Sequence, residues 1–140
     1  MEAALTSLIL WAEDDENDAI LFKRAFQKAH LSKTVVRVHD GEEAIKYLNG
    51  DGCYADRSQY PLPSLLLLDI KMPHKDGFEV LEWKQSRPDL RDLPVVMFSS
   101  SDIERDVETA ERLGARAFLV KPGTLDGMRG VVSTLSALQG

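Results

Sequence analysis

The chain reads Leu65-Leu66-Leu67-Leu68-Asp69-Ile70-Lys71-Met72-Pro73 near its middle. Four consecutive leucines are typical of a short strand that is buried on both faces, which in a globular domain indicates the centre of a parallel sheet. Asp69 is the first charged residue after this run. Because ligands and reacting groups collect outside the carboxyl ends of the strands in open α/β sheets, Asp69 stands where a carboxylate can take part in chemistry.

Four other segments have the apolar character of strands, namely residues 8–12, 35–39, 94–98 and 117–120. Between them, apolar residues recur every three or four positions, as on the buried face of a helix. After the fourth strand this predicted face is Ile103, Val107 and Ala110. The alternation predicts an α/β fold, a doubly wound and mostly parallel sheet of five (βα) units. Periodicity leaves the strand order open, but the most apolar strands, the first, third and fourth, are expected at the centre.

Length, charge and cysteine content narrow the class of protein. A chain of 140 residues is about one domain in size, so residues 1–140 are expected to form a single domain. The net charge of -6 argues against a general binder of nucleic acid or of anionic membranes. Cys53 is the single cysteine, and neither a secretion signal nor an apolar run of membrane-spanning length is visible. A cytoplasmic protein is therefore expected.

Polar residues also follow the other central strands and the fifth strand. Glu13 and Asp14 come after the first strand, Ser99 after the fourth and Lys121 after the fifth. Carboxylates without histidine or cysteine favour a hard cation such as Mg²⁺. On their own, however, the acids at residues 13–16 fit the solvated start of a helix better than a metal site. A cation, the Lys121 ammonium and the Ser99 hydroxyl would together suit phosphoryl transfer to the carboxylate of Asp69.

Together these residues resemble the response-regulator receiver domain of two-component signalling. The motifs that carry the resemblance are Glu13-Asp14, Asp69 with residues 70–73, Gly77, Ser99 and Lys121-Pro122, and the resemblance covers about residues 8–138. It implies a flavodoxin-like sheet of strand order 2-1-3-4-5, with the site at the switch point between the first and third strands.

The resemblance also implies which residues carry out phosphorylation. Asp69 would accept a phosphoryl group from a sensor histidine kinase. Glu13, Asp14, Asp69 and the backbone carbonyl of Lys71 would bind Mg²⁺. In this reading the protein is not an enzyme in the usual sense, because it is itself the acceptor.

Three further positions would respond to the phosphoryl group. Lys121 would pair with it, Ser99 would be the hydroxyl that moves toward it, and Phe118 would be the aromatic switch. Phe118 lacks the hydroxyl that the family often has at this position, so any switching would depend on apolar packing. The resemblance further implies that the bond between Lys121 and Pro122 is commonly cis, which proline makes accessible at modest cost.

Residues 49–64 have no usable period and contain two glycines and two prolines, which predicts a loop longer than is common in a compact domain. It looks like the loop of stand-alone regulators that serve bacterial phytochromes and related sensor kinases. The alternative to a loop that binds a partner is a surface loop that the fold tolerates at a small cost in conformational entropy. No output domain is expected after Lys121, so the signal would pass by contact to an unidentified downstream protein. A homodimer is also left open.

Three rival functions fit parts of this sequence. An aspartate-nucleophile phosphohydrolase typically has a second carboxylate two residues after the nucleophile, and this position is Lys71. A flavin-binding protein would need a phosphate-cradling loop after the first strand, where the acids at residues 13–16 would repel an anion. The third is a receiver-like interaction scaffold without phosphorylation. It is suggested by three departures from the family, which often has Thr at Ser99, Tyr at Phe118 and Phe at Gly123.

Overall fold

The computed structural model describes residues 8–29, 34–100 and 103–139. Within these segments, five strands alternate with five α-helices and two short 3₁₀ turns. The strands are β1 (Leu8–Ala12), β2 (Thr34–Val38), β3 (Leu65–Leu68), β4 (Val95–Ser99) and β5 (Ala117–Val120). The α-helices are α1 (Glu16–Lys28), α2 (Gly41–Asn49), α3 (Gly77–Gln85), α4 (Glu104–Arg112) and α5 (Leu125–Gln139), and the 3₁₀ turns are Gly52–Ala55 and Pro88–Leu90.

The strands form one parallel sheet in the order β2-β1-β3-β4-β5. This confirms the doubly wound fold and the strand order that the resemblance implies. The inner strands β1, β3 and β4 are buried along their whole length, whereas the edge strands β2 and β5 are mostly half-buried or exposed. The expectation that the three most apolar strands are central is also confirmed.

The four leucines of β3 face alternate sides of the sheet. Leu66 and Leu68 belong to the core layer under α2, α3 and α4, and Leu65 and Leu67 belong to the layer under α1 and α5. All four side chains are fully buried. Burying each one contributes about 1.5–3 kcal/mol, so this strand is a rigid support for the residue that follows it.

Aspartates fix the starts of three helices. The side chains of Asp15, Asp40 and Asp76 each accept a hydrogen bond from a backbone N–H in the first turn of α1, α2 and α3. Such caps satisfy amide groups that have no partner within the helix. Since Asp15 caps α1, part of the acidic run at residues 13–16 does serve a helix start, as the alternative interpretation proposed.

The predicted buried face of α4 is partly wrong. Ala110 is buried, but the Ile103 side chain is 52% exposed. Ile103 precedes the first turn of α4 as its capping residue, and its backbone is not helical. Because its backbone is not helical, its side chain does not follow the helical spacing that relates it to Val107 and Ala110.

The long connection between α2 and β3 has more structure than the sequence predicts. It contains the 3₁₀ turn and packs Tyr54 and Tyr60 against Tyr47, with ring centroids 4.9 to 6.0 Å apart. The Arg57 guanidinium donates to the carbonyl oxygens of Tyr47, Leu48 and Tyr60. Arg57 binds the carboxyl end of α2, which lies at the sheet edge opposite to Asp69, whereas the Tyr54 hydroxyl reaches back to Glu43 in the first turn of α2. In the described parts of the chain, no helix is long and apolar enough to cross a membrane.

Candidate functional site

Polar residues from four strand ends meet at one rim of the sheet. Glu13 and Asp14 follow β1, Asp69 follows β3 and Lys121 follows β5, while Ser99 is the last residue of β4 rather than the first after it. The rim surrounds a cavity of about 240 Å³. Its walls include Asp14, Asp18, Asp69, Lys71, Ser99, Asp106 and Lys121. The structure therefore brings together the residues that the sequence places at strand ends.

Lys121 is the centre of this arrangement. Its Nζ lies 2.8 Å from Oδ2 of Asp69, 2.8 Å from Oε1 of Glu13 and 3.0 Å from Oδ2 of Asp18. The side chain is only 5% exposed. Burial by itself would lower the pKa of Lys121, but hydrogen bonds to Asp69 and Glu13 and their negative charges raise it above its usual value. The ammonium therefore remains protonated and holds the carboxylates together.

Glu13, Asp14 and Asp69 form a compact group of oxygen donors. One carboxylate oxygen from each lies within 4.8 Å of the other two. The pKa of Glu13 is raised to about 7, chiefly by burial; the hydrogen bond and charge of Lys121 oppose this rise, and the charge of Asp69 adds to it. One ammonium cannot neutralise three carboxylates. The donor set and its excess negative charge therefore fit a hard divalent cation.

Contacts from β2 hold Glu13 in place. Its backbone N–H donates to the Val38 carbonyl at 3.0 Å, and its carbonyl oxygen accepts from Nε of Arg37 at 2.9 Å. The Arg37 guanidinium also lies 3.2 Å from a carboxylate oxygen of Glu16 and 5.9 Å from the ring centroid of Trp11. Arg37 is thus a supporting residue of the site that the sequence did not indicate, because it acts through a contact between two strands.

Gly77 allows the start of α3 to approach the site closely. Its N–H donates to the Ile70 carbonyl at 2.8 Å. A Cβ atom at this position would lie 2.2 Å from the carbonyl oxygen of Asp69. The glycine in the sequence motif is therefore required by packing rather than by a positive φ angle.

Ser99, Phe118 and Lys71 occupy different surroundings. Ser99 is buried at the cavity wall, and its carbonyl oxygen accepts from the Lys121 N–H at 2.7 Å. Phe118 pairs with Met97 in the sheet and packs against the core layer under α2, α3 and α4, not along the cavity wall. Lys71 is exposed and lines the cavity. The switch roles of Ser99 and Phe118, and metal binding by the Lys71 carbonyl, remain predictions.

Two features of the rim differ from the sequence-based expectations. Every peptide bond in the described segments is trans, so the expectation of a cis bond between Lys121 and Pro122 is wrong. Even before proline, the trans form is preferred by about 0.5–1 kcal/mol. The second feature is Asp18, whose carboxylate reaches Lys121 from the first turn of α1. The available signal was its place in the first turn of the helix that follows the acidic run, three residues after the capping residue Asp15.

Comparison with known proteins agrees with the fold. The sequence profile of the response regulator receiver domain matches residues 9–133. The chain is 33% identical over 118 residues to the response regulator Rcp1 of Synechocystis sp., covering 84% of this chain and 78% of Rcp1. The Mn²⁺-bound structure of Rcp1 matches 93% of this chain and 91% of that chain at 31% identity, with a TM-score of 0.81.

Two other solved structures are similar over nearly the whole chain. The phosphorylated cyanobacterial phytochrome response regulator RcpA has 33% sequence identity and a TM-score of 0.86, and the match covers 96% of this chain and 94% of that chain. The bacteriophytochrome response regulator AtBRR has 38% identity and a TM-score of 0.77, with the same coverage of 96% and 94%.

Proposed function

The chain belongs to the family of response regulator receiver domains, and from this premise we propose that it is a stand-alone regulator that accepts a phosphoryl group on Asp69. The observation that carries the proposal is the ion pair between Asp69 Oδ2 and Lys121 Nζ, 2.8 Å long, at the carboxyl end of β3. It joins a nucleophilic carboxylate to a fixed positive charge beside an open cavity.

The proposed reaction transfers a phosphoryl group from a phosphohistidine of a sensor kinase to Asp69. A carboxylate oxygen of Asp69 attacks phosphorus, an O–P bond forms and the N–P bond of phosphohistidine breaks. The electron pair of that bond returns to the imidazole nitrogen of the kinase. Lys121, which remains protonated, faces the phosphoryl oxygens and stabilises their charge in the transition state.

Receiver domains bind a divalent metal, and the carboxylates of Glu13, Asp14 and Asp69 form a suitable cluster here. We propose Mg²⁺ as the physiological ion, held by these three residues and by the backbone carbonyl of Lys71. When bound, Mg²⁺ supplies positive charge that offsets the carboxylates and polarises the phosphoryl oxygens.

Response regulators of this phytochrome type work with sensor histidine kinases. Because RcpA and AtBRR are phytochrome and bacteriophytochrome response regulators, we propose that the kinase of this protein is a bacterial phytochrome in the cytoplasm. The output would be contact with another protein or a second copy of the chain, with movement of Ser99 and Phe118 as the signal. The net charge of -6 supports a protein partner rather than nucleic acid or a membrane.

Incubation with acetyl phosphate, with and without Mg²⁺, followed by intact-mass measurement tests the proposal. Native protein should gain one phosphoryl group only when Mg²⁺ is present, and Asp69→Asn should gain none. Asp126→Asn is the matched control, since the Asp126 side chain is 94% exposed and pairs only with Arg129 among the described residues. No addition to the native protein under either condition would support the interaction scaffold without phosphorylation instead.

A further inference from the structure

Asp18 is the third carboxylate around Lys121, and neither the motif residues nor the proposed reaction gives it a role. It lies in the first turn of α1, and its Oδ2 accepts a hydrogen bond from Lys121 Nζ at 3.0 Å. The same ammonium donates to Oε2 of Glu13 at 3.1 Å and to Oδ2 of Asp69 at 2.8 Å. An ammonium has three N–H donors, so the three carboxylates together use its full capacity.

A phosphoryl oxygen can therefore pair with Lys121 only by displacing one of these carboxylates. Glu13 is fully buried and lies behind the cavity, and Asp69 is the residue to which the phosphoryl group becomes bonded. Asp18 lines the cavity, and its side chain is 35% exposed, more than that of either other partner of Lys121. Asp18 is thus the carboxylate that an incoming phosphoryl group contacts. Of the three, it is also the one that can most easily move into solvent when it is displaced.

We propose that Asp18 is a positioning residue that holds the Lys121 ammonium in the unphosphorylated protein and competes with the phosphoryl group for it. This role rests on the proposed function at Asp69. Displacement of Asp18 also frees the first turn of α1 from the rim, so phosphorylation changes a contact of α1 as well as the contacts of β4 and β5.

The competition predicts a specific kinetic effect. Replacing the carboxylate of Asp18 by an amide weakens its hold on the ammonium, because a neutral amide oxygen competes less well than a carboxylate with a phosphoryl oxygen. Asp18→Asn should then lower the acetyl phosphate concentration for half-maximal phosphorylation by about two- to fivefold, the range expected for losing the charge of one partly exposed ion pair. The maximal rate should change little. Asp18→Glu, which keeps the carboxylate, should restore the native value.

Asp106→Asn is the charge-matched control, because Asp106 lines the same cavity but is not an ion-pair partner of Lys121. All variants are measured at saturating Mg²⁺ after thermal unfolding has shown that they fold. The decisive comparison repeats Asp18→Asn in a Lys121→Gln background. An effect that acts through Lys121 disappears there, whereas simple repulsion between Asp18 and the donor persists.

A second measurement is independent of turnover. Beryllofluoride, an analogue of the phosphoryl group, should bind Asp18→Asn more tightly than native protein in a calorimetric titration with Mg²⁺. If native protein takes up a phosphoryl group normally and Asp18→Asn matches Asp106→Asn in both assays, only the role of Asp18 is overturned. If native protein is not phosphorylated at all, the proposed function and this inference both fail.

Discussion

Gly77 and Asp69 are in such close contact that a single methyl group on Gly77 would lie 2.2 Å from the Asp69 carbonyl oxygen. The start of α3 is therefore packed directly against the backbone that presents the proposed phosphate acceptor. The added methyl group would also lie 2.9 Å from Cε of Met97 in β4. The position of Asp69 depends on the absence of a side chain eight residues later.

Gly77→Ala should consequently displace the loop that carries Asp69. We expect a loss of about 1–3 kcal/mol in the free energy of unfolding, the usual cost of overpacking, together with weaker Mg²⁺ binding. Urea unfolding and Mg²⁺ titration measure the two effects. Gly123→Ala is the control, because nothing lies within 4 Å of a Cβ atom added there. Equal stability and equal metal affinity in the two variants would contradict the packing argument.

Arg37→Met should weaken the site through Glu13. The change removes the donor at 2.9 Å from the Glu13 carbonyl oxygen, which should cost about 1–3 kcal/mol because the acceptor of a buried residue loses its partner. Mg²⁺ affinity should also fall, because the backbone of a proposed ligand becomes less constrained. Glu16→Gln removes only the exposed partner of Arg37 and should cost about 0–1 kcal/mol. Urea unfolding with and without Mg²⁺ compares Arg37→Met with Glu16→Gln. Equal losses of unfolding free energy in the two variants would argue against the role of Arg37.

Arg57→Met tests the connection between α2 and β3. Its guanidinium donates to three carbonyl oxygens, two of them at the end of α2, so we expect a loss of about 1.5–3 kcal/mol in unfolding free energy. Arg129→Met is the control, since Arg129 is exposed and its ion pair with Asp126 is 3.8 Å long.

Phosphorylation of Arg57→Met by acetyl phosphate should remain at the native rate, because Arg57 binds carbonyl oxygens at the carboxyl end of α2, at the sheet edge opposite to Asp69. Transfer from the cognate kinase is measured in parallel. A loss of kinase transfer alone would indicate that the connection also binds the partner, whereas loss of both reactions would show that its effect reaches the site.

Burial on both faces explains why the centre of the fold was predictable. Leu65 to Leu68 alternate between two core layers, and only a continuous apolar run can satisfy both. The polar residues at strand ends could then be placed together because parallel strands end at one edge. The strand order followed from the resemblance rather than from periodicity, since no local pattern records which strands are neighbours.

Contacts between distant segments explain what the sequence did not reveal. Arg37 reaches Glu13 from 24 residues away, and Lys121 reaches Asp18 across 103 residues. Arg57 acts on backbone carbonyls, which carry no sequence signature. Ile103 was misassigned for a local reason, because a capping residue is adjacent to a helix in sequence but does not share its periodicity.

The pKa of Glu43 should report the contact between α2 and the following connection. Burial would raise it, but hydrogen bonds from the His39 N–H and the Tyr54 hydroxyl lower it below its usual value of 4.5. A depressed carboxyl pKa stabilises the fold above pH 4.5, and this contribution is lost as pH falls through the folded-state value. In an NMR titration, Tyr54→Phe should raise the midpoint of Glu43. An unchanged midpoint would show that the hydroxyl does not bind the carboxylate in solution.

Lys71 should set how long the phosphoryl group persists on Asp69. Its side chain is exposed, lines the cavity and lies two residues after the acceptor. Water that hydrolyses an acyl phosphate must approach phosphorus from this cavity, and a flexible cation there obstructs or reorients it. Lys71→Ala should therefore lose phosphate several-fold faster than native protein, as followed by intact mass after removal of the donor. Lys75→Ala is the control, because Lys75 is an exposed lysine of the same loop that does not line the cavity. Identical decay in Lys71→Ala and native protein would remove Lys71 from the hydrolytic step.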